Sequence, residues 1–144
     1  MEVPKKEQTF KAFNNETKLV YKSKHFLLEL YGCNYDKLND ESFLRCTLNN
    51  AAKLANATVL SLISNKFEPQ GVTAIALLAE SHLSIHTWPE AHYSAADIFT
   101  CGQNMKPDIS CKYLIEALMA EEHLLRIINR NPPLKFHNQK RIIN

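Results

Sequence analysis

Short apolar runs separated by turn residues fill the middle of the chain, and they constrain its fold more than any other feature. The runs are rich in leucine, isoleucine, valine and threonine, which is typical of β-strands. Turn residues such as Gly32-Cys33-Asn34 and Phe67-Glu68-Pro69-Gln70-Gly71 stand between them. The predicted strands are His25–Tyr31, Ala57–Ser64, Val72–Ala79, His82–Thr87, Ala95–Thr100 and Leu124–Ile128, with an edge strand near Thr17–Tyr21.

Two segments have helical rather than strand-like spacing. The first runs from Asn39 or Asp40, either of which can serve as its N-cap, to Ala55. Its apolar face recurs at i, i+4, i+7 and i+11, as Leu44, Leu48, Ala51 and Ala55. The second helix opens at Pro107, with a predicted apolar face of Ile109, Tyr113, Leu114, Ala117 and Leu118.

The resulting order, β-α-β-β-β-β-α-β, predicts the fold class. It fits an α+β fold, a two-layer α/β sandwich with a mostly antiparallel sheet and both helices on one face. The other face of the sheet then needs a cover. A second sheet from another subunit can supply it and make an αββα sandwich in a dimer.

Composition limits the class of protein. The chain has 144 residues, 45% of them hydrophobic, which is enough for one domain with one core. We assign 1–23 as an N-terminal extension, 24–128 as the domain and 129–144 as a solvated basic tail. The formal net charge of +2 argues against a dedicated nucleic-acid binder.

The cellular setting predicted from the sequence is the cytoplasm. No apolar run is long enough for a membrane span, and the N-terminus lacks the apolar segment of a secretory signal. The four cysteines, Cys33, Cys46, Cys101 and Cys111, show no C-x-x-C spacing and are expected to be free thiols.

One stretch concentrates reactive side chains: AESHLSIHTWPE at 79–90, followed by DIFTCG at 97–102. A metal site at His82, His86 and Cys101 is disfavoured, because histidines four residues apart on a strand are about 13 Å apart. A serine hydrolase is disfavoured because Ser81 lies in no G-x-S-x-G elbow. On a purely structural interpretation, His82, Ser84 and His86 line the solvent face of an amphipathic strand.

These blocks resemble the S-adenosylmethionine decarboxylase family in its short prokaryotic, pyruvoyl-dependent form. The similarity covers His25 to Ile128 and rests on HFLLELYGC, F-x-P-x-G-V-T, ESHLSIHTWPE and DIFTCG at matching spacing. A long block with correctly spaced companions is far more specific than a single short motif.

The resemblance implies a proenzyme that cuts itself between Glu80 and Ser81. Ser81 Oγ would attack the carbonyl of Glu80, and elimination and hydrolysis would leave chains of 1–80 and 81–144, the second starting with a pyruvoyl group. His86 matches the processing proton acceptor of the family. Thr73 stands where the family usually has serine, so the hydroxyl is kept and a methyl group is added.

The resemblance also implies the catalytic roles. Pyruvate, as the covalent pyruvoyl group, would form a Schiff base with S-adenosylmethionine, and Cys101 would be the proton donor after CO₂ leaves. Phe67 and Trp88 match the residues that sandwich the adenine, and Glu90 matches the carboxylate that binds the ribose. Glu29 holds a family-like acidic position without a readable role, and Tyr31 and Cys33 are assigned to structure.

Three functions remain open from the residues. The first is decarboxylation of S-adenosylmethionine for spermidine biosynthesis, in a homodimer of processed protomers. The second is a pyruvoyl-dependent arginine or ornithine decarboxylase on the same scaffold, which the retention of Phe67, Trp88 and Glu90 disfavours. The third is a non-catalytic partner subunit, which the intact Ser81, His86 and Cys101 disfavour. Neither a membrane nor a nucleic acid is expected as a partner.

Overall fold

A single antiparallel sheet organises the computed structural model, which describes residues 22–130. The sheet has six strands in the order β2-β3-β4-β5-β1-β6, which confirms the predicted α+β class. The strands are β1 Ser23–Tyr31, β2 Val59–Lys66, β3 Val72–Leu78, β4 His82–Trp88, β5 Tyr93–Cys101 and β6 Glu122–Asn129. The edge strand predicted near Thr17–Tyr21 and the tail beyond Arg130 lie outside the described residues.

Three helices connect the strands: α1 Tyr35–Leu38, α2 Glu41–Leu54 and α3 Pro107–Ala117. Helix α2 begins where predicted, because the Asp40 carboxylate accepts a hydrogen bond from the Phe43 N–H at 2.9 Å and caps the first turn. Helix α1 was not predicted. It is a single turn, capped by Asn34, which accepts from the Lys37 N–H at 3.0 Å.

The hydrophobic core lies between α2, α3 and one face of the sheet. Its sheet side is formed by alternate residues of the strands, among them Leu28, Leu30, Ala74, Leu83 and Ile85. No helix in the described range is long and apolar enough to cross a membrane.

The predicted apolar face of α3 is partly wrong. Ile109 is 39% exposed, whereas Ser110 and Cys111 are buried next to Leu114 and Leu118. The Ser110 hydroxyl donates to the Ala51 carbonyl on α2, so a polar side chain takes a core position because the neighbouring helix supplies its acceptor.

The opposite face of the sheet is open in the protomer. In antiparallel pairing, directly opposed residues share a face, so the register assigns His82 and Phe99, Ser84 and Asp97 to this side. Apolar side chains on the same side are exposed, including Leu77 at 54% and Ile63 at 61%. This open face carries most of the residues that the sequence singled out.

Candidate active site

The Glu80–Ser81 bond lies at the tip of the hairpin that joins β3 to β4. Strand pairing ends at Leu77 and His82, and the Leu78 N–H donates to the Ser81 carbonyl at 2.8 Å. The Glu80 carboxylate is held from the side by the Thr58 N–H at 3.0 Å. Ser81 itself is half-buried. The Glu80–Ser81 bond therefore lies outside the strand ladder, and a hydrogen bond holds the residue on each side of it.

Cys101 lies beside this hairpin. Continuing the β4–β5 register by one residue sets Ser81 opposite Thr100, next to the thiol-bearing residue at the end of β5. Cys101 is exposed, whereas Cys33 and Cys111 are buried, and burial raises the pKa of both thiols to about 11. Cys101 is the reachable thiol at this end of the sheet.

Thr73 and His86 form a second pair. They stand directly opposite each other on β3 and β4, and Thr73 Oγ1 lies 3.0 Å from His86 Nδ1. A hydroxyl hydrogen-bonded to an imidazole is a suitable arrangement for moving a proton. The added methyl group of threonine does not prevent this contact.

One protomer does not bring these two pairs together. His86 follows Ser81 by five residues on an extended strand, which separates them by about 16 Å. The hydrogen-bond reach of general acid–base catalysis is about 3 Å. Ser81 and Cys101 therefore lie beside the start of β4, and Thr73 and His86 lie towards its other end.

The residues expected to bind adenine and ribose lie at the His86 end. Trp88 is 43% exposed and stacks on Tyr93, with ring centroids 5.2 Å apart. Phe67 is 49% exposed in the β2–β3 loop, which its N–H closes by donating to the Gly71 carbonyl at 2.8 Å. Glu90 is exposed in the 3₁₀ turn Pro89–Ala91 that follows β4.

A tyrosine–glutamate pair adds to this end of the open face and was missed in the sequence. The Tyr93 hydroxyl donates to the Glu29 carboxylate, and Tyr31 stacks on Tyr93 with centroids 5.5 Å apart. Desolvation and the Glu29 carboxylate raise the pKa of Tyr93 to about 12. Glu29 thus acquires a partner that only the β1–β5 pairing reveals.

A polar cluster at Asp97 occupies the middle of the open face, and it was also missed. The carboxylate accepts hydrogen bonds from His25 Nε2 at 2.5 Å, from His82 Nε2 at 2.9 Å and from the Ser84 hydroxyl. Burial alone would raise the pKa of Asp97, but these three hydrogen bonds outweigh it and lower the pKa below its ordinary value.

The sequence disfavours a metal site at His82, His86 and Cys101, and the structure brings a different set of residues together on this surface. Within residues 22–130, three potential ligand atoms come within 4.8 Å of one another only at His25, His82 and Asp97, a set that contains neither His86 nor Cys101. Arg130 Nη1 lies 3.2 Å from His25 Nδ1, so a cationic group already faces this cluster. The geometry favours a hydrogen-bonded network over a metal centre.

Comparisons with known proteins agree with the motifs. The family model described as S-adenosylmethionine decarboxylase matches residues 24–131. An S-adenosylmethionine decarboxylase proenzyme of Prochlorococcus marinus (strain MIT 9313) is 57% identical over 110 residues, covering 76% of this chain and 88% of the relative. One from Methanococcus maripaludis is 44% identical over 107 residues, covering 74% and 88%.

A solved structure is similar as well. The crystal structure of the adenosylmethionine decarboxylase from Aquifex aeolicus VF5 superimposes with a TM-score of 0.74 at 35% sequence identity. The match covers 83% of this chain and 99% of that one.

Proposed function

The chain belongs to the S-adenosylmethionine decarboxylase family, and on that premise we propose that it cuts itself between Glu80 and Ser81 and decarboxylates S-adenosylmethionine with a pyruvoyl group. It is an enzyme of the carboxy-lyase class. The observation that carries the proposal is the position of the Glu80–Ser81 bond in the hairpin loop, next to an exposed Cys101.

The scission step uses atoms of the chain itself. Ser81 Oγ attacks the Glu80 carbonyl carbon, the Ser81 nitrogen leaves with a proton, and an ester replaces the amide. A base then removes the Ser81 Cα proton, and the Glu80 carboxylate leaves from Cβ. Tautomerisation and attack by one water release ammonia and leave an α-keto acyl group on the new chain end.

The hairpin fits a pyruvoyl group at position 81. Cross-strand pairing of β4 starts at His82, on both the β3 and the β5 side, so a break at Glu80–Ser81 removes no ladder pair. The Ser81 carbonyl, which accepts from the Leu78 N–H, stays with the new chain. The main-chain pairing of the cut end beside Cys101 is therefore kept.

Decarboxylation requires a side chain at this end that can donate a proton to carbon. A pyruvoyl group supplies an α-keto carbonyl that condenses with an amine and accepts the electron pair released with CO₂. Cys101 then donates a proton to the substrate carbon. The thiol of Cys101 is exposed, so the substrate carbon can reach it.

Aromatic and acidic side chains at the other end of the open face suit the rest of the substrate. Phe67 and Trp88 offer exposed ring faces for adenine and for the sulfonium cation. Glu90 offers a carboxylate for the ribose hydroxyls. A small basic amino acid has neither group, so these residues favour S-adenosylmethionine over arginine or ornithine.

A homodimer resolves the separation between the two ends. If two open faces pack antiparallel about a two-fold axis, the Ser81 end of one protomer meets the Thr73–His86 end of its partner. The exposed apolar side chains of this face, such as Leu77 and Leu124, would be buried in the same contact. Each site would then take Ser81 and Cys101 from one protomer and the processing pair from the other.

The product of this reaction keeps its sulfonium and gains an unsubstituted aminopropyl arm. We therefore place the enzyme in spermidine biosynthesis, in the cytoplasm.

Release of ¹⁴CO₂ from carboxyl-labelled S-adenosylmethionine, arginine and ornithine, supplied side by side, tests the proposal. We expect release from S-adenosylmethionine alone, and denaturing mass spectrometry of the same sample should show chains of 1–80 and 81–144. Release from arginine or ornithine would reassign the substrate. A chain that stays intact and releases no CO₂ would make it a non-catalytic subunit.

A further inference from the structure

The cluster around Asp97 reaches the residue that follows the scissile bond. His82 is the first residue of β4, immediately after Ser81, and its Nε2 lies 2.9 Å from Asp97 Oδ2. The same oxygen contacts His25 Nε2 on β1, and Ser84 holds the other oxygen. One carboxylate thus connects β1 and β5 to the start of β4.

The contact between Arg130 and His25 determines where the protons of this cluster lie. The Arg130 guanidinium has only donors, and its Nη1 lies 3.2 Å from His25 Nδ1, which must therefore accept. In the neutral ring the proton is then on Nε2, which donates to Asp97. Because an ionised carboxylate can only accept, His82 Nε2 must also carry a proton and donate it to Asp97. The network therefore fixes which ring nitrogen of each histidine is the donor.

Packing restrains the same rings from the side. The Phe99 ring lies against both imidazoles, with centroids 5.3 Å from His25 and 5.9 Å from His82. Arg130 covers that ring at 4.9 Å. A hydrogen bond and a ring contact therefore both restrain His82, although it stands at a strand end.

Such a restraint becomes necessary once the chain is cut. Residue 81 is then a chain terminus that lies outside the ladder, and termini are poorly ordered unless they are tied down. The hydrogen bond from His82 to Asp97 is one peptide unit away from the α-keto carbonyl proposed at residue 81. Asp97 belongs to β5, the strand that also carries Cys101, so anchor and proton donor share one rigid element.

We propose that Asp97 is a positioning residue which, through His82, holds residue 81 in place against Cys101 after the chain is cut. This inference rests on the proposed function, and it assigns Asp97, His82 and His25 a role in turnover rather than in scission.

Substitutions at His82 separate anchoring from chemistry. His82→Gln keeps an N–H donor at the reach of Nε2, and His82→Leu removes it. The rates are measured on the holoenzyme and expressed per cut chain, which mass spectrometry counts. We expect His82→Leu and Asp97→Asn to lower kcat at least about tenfold, because a small misplacement of reacting groups is costly. KM should stay within about twofold, and His82→Gln should keep kcat within about threefold.

A matched control is Ser64→Ala. Ser64 belongs to a polar cluster of similar size with Arg45 and Glu41 on the helix side of the sheet, and kcat should not change. The pH profile of kcat for His82→Gln should keep the shape of the parent profile.

Three results with the His82 and Asp97 variants would overturn the proposal. An equal loss in His82→Gln and His82→Leu, with one limb of the pH profile missing, would make His82 an acid–base group. Parent-like kcat in Asp97→Asn would remove the anchor. A rise in KM at constant kcat would make the cluster a substrate contact.

The pair His25→Gln and His25→Leu repeats the comparison without touching a neighbour of Ser81, should His82→Leu remain uncut. Here we expect a loss of about threefold or more in the leucine variant and rescue in the glutamine variant. An uncut His25→Leu would contradict the inference, since it would tie the cluster to scission. Failure of the parent protein to cut itself or to release CO₂ would instead count against the proposed function.

Discussion

Among the thiols of the chain, the surroundings rather than the residue type set the chemistry. Cys33 and Cys111 are buried, and at a pKa of about 11 they remain protonated at neutral pH. Cys46 and Cys101 are exposed, but only Cys101 lies at the hairpin that contains Ser81. Position in the sheet therefore distinguishes the proposed proton donor from an ordinary surface thiol.

Replacing Cys101 tests this distinction. Cys101→Ala should fold and lower kcat by at least about 100-fold, because general acid catalysis contributes roughly that factor. Steady-state CO₂ release per cut chain measures the effect. Cys46→Ala, which removes the other exposed thiol, is the control and should behave like the parent. Equal kinetics in the two variants would exclude Cys101 from the reaction.

The Thr73 hydroxyl is predicted to act in scission. Thr73→Val keeps the shape of the side chain but removes the hydroxyl that lies 3.0 Å from His86 Nδ1. We expect scission at least about tenfold slower in this variant, whereas Thr73→Ser should match or exceed the parent. The time course of uncut chain on a denaturing gel gives the rates. An unchanged rate in Thr73→Val would leave the hydroxyl without a role.

Asp97 also makes stability depend on pH. Its folded-state pKa lies below the ordinary value of 3.8, so its contribution is complete above that pH and is lost as pH falls towards the folded-state pKa. Asp97→Asn should lower the free energy of unfolding by roughly 2 kcal/mol at pH 6. Urea titrations at several pH values should show the gap from the parent narrowing only below about pH 3.8.

If the difference in unfolding free energy between the parent and Asp97→Asn stays constant down to pH 2.5, Asp97 is not the charged group that stabilises the fold.

At the residue scale, the motif at 79–90 was sufficient to nominate Ser81, His86 and Trp88, because the family resemblance that implies their roles rests on a local pattern. The Asp97 cluster could not be found this way. His25 and Asp97 are separated by 72 residues, and their contact depends on β1 returning beside β5. A sequence pattern records alternation along one strand, not which strand becomes its neighbour.

At the scale of elements, apolar alternation predicted every strand of the described sheet to within a few residues. The sequence patterns were wrong where the backbone conformation or a tertiary contact overrides them. Strand β5 begins at Tyr93 rather than Ala95, since His92 takes a left-handed conformation with φ of 48° and turns the chain there. Helix α3 exposes Ile109 and buries Ser110, because α2 offers Ser110 a carbonyl.

The loop that holds Phe67 depends on Gly71. Its φ is +100°, and an added Cβ would lie 3.0 Å from the Thr87 carbonyl oxygen. Gly102 also has a positive φ, +84°, but no atom within 4 Å of its Cβ position. Gly71→Ala therefore combines backbone strain with a close contact, and Gly102→Ala has only the strain.

We expect Gly102→Ala to lose about 1 kcal/mol of unfolding free energy and Gly71→Ala to lose about 2 kcal/mol or more. Chemical denaturation checks both values. Only Gly71→Ala should also raise KM, since the loop carries Phe67. Equal losses in the two variants would show that the Thr87 contact relaxes without cost.

At the scale of the whole molecule, the two ends of β4 give the proposed dimer a decisive test. Ser81→Ala and His86→Ala should each remain uncut when made alone. Made together, they form mixed dimers in which one site has Ser81 from the His86→Ala chain and His86 from the Ser81→Ala chain. We expect the His86→Ala chain to be cut in this mixture, up to about half of it if chains pair at random.

Mass spectrometry distinguishes the two chains by their substitutions. The absence of any cut His86→Ala chain, with mixed dimers present, would mean that each protomer processes itself.

The strand order has a consequence for the protein after the proposed cut. A cut at Glu80–Ser81 gives one fragment with β1, β2 and β3 and another with β4, β5 and β6, and three ladders, β3–β4, β5–β1 and β1–β6, join them. The fragments are interleaved, so they stay associated under native conditions. Once denatured, however, they must find each other by diffusion, and refolding becomes second order in concentration. The uncut precursor can fold as a single chain at any dilution. The proposed self-cleavage would therefore leave a protein that can no longer refold in a unimolecular step.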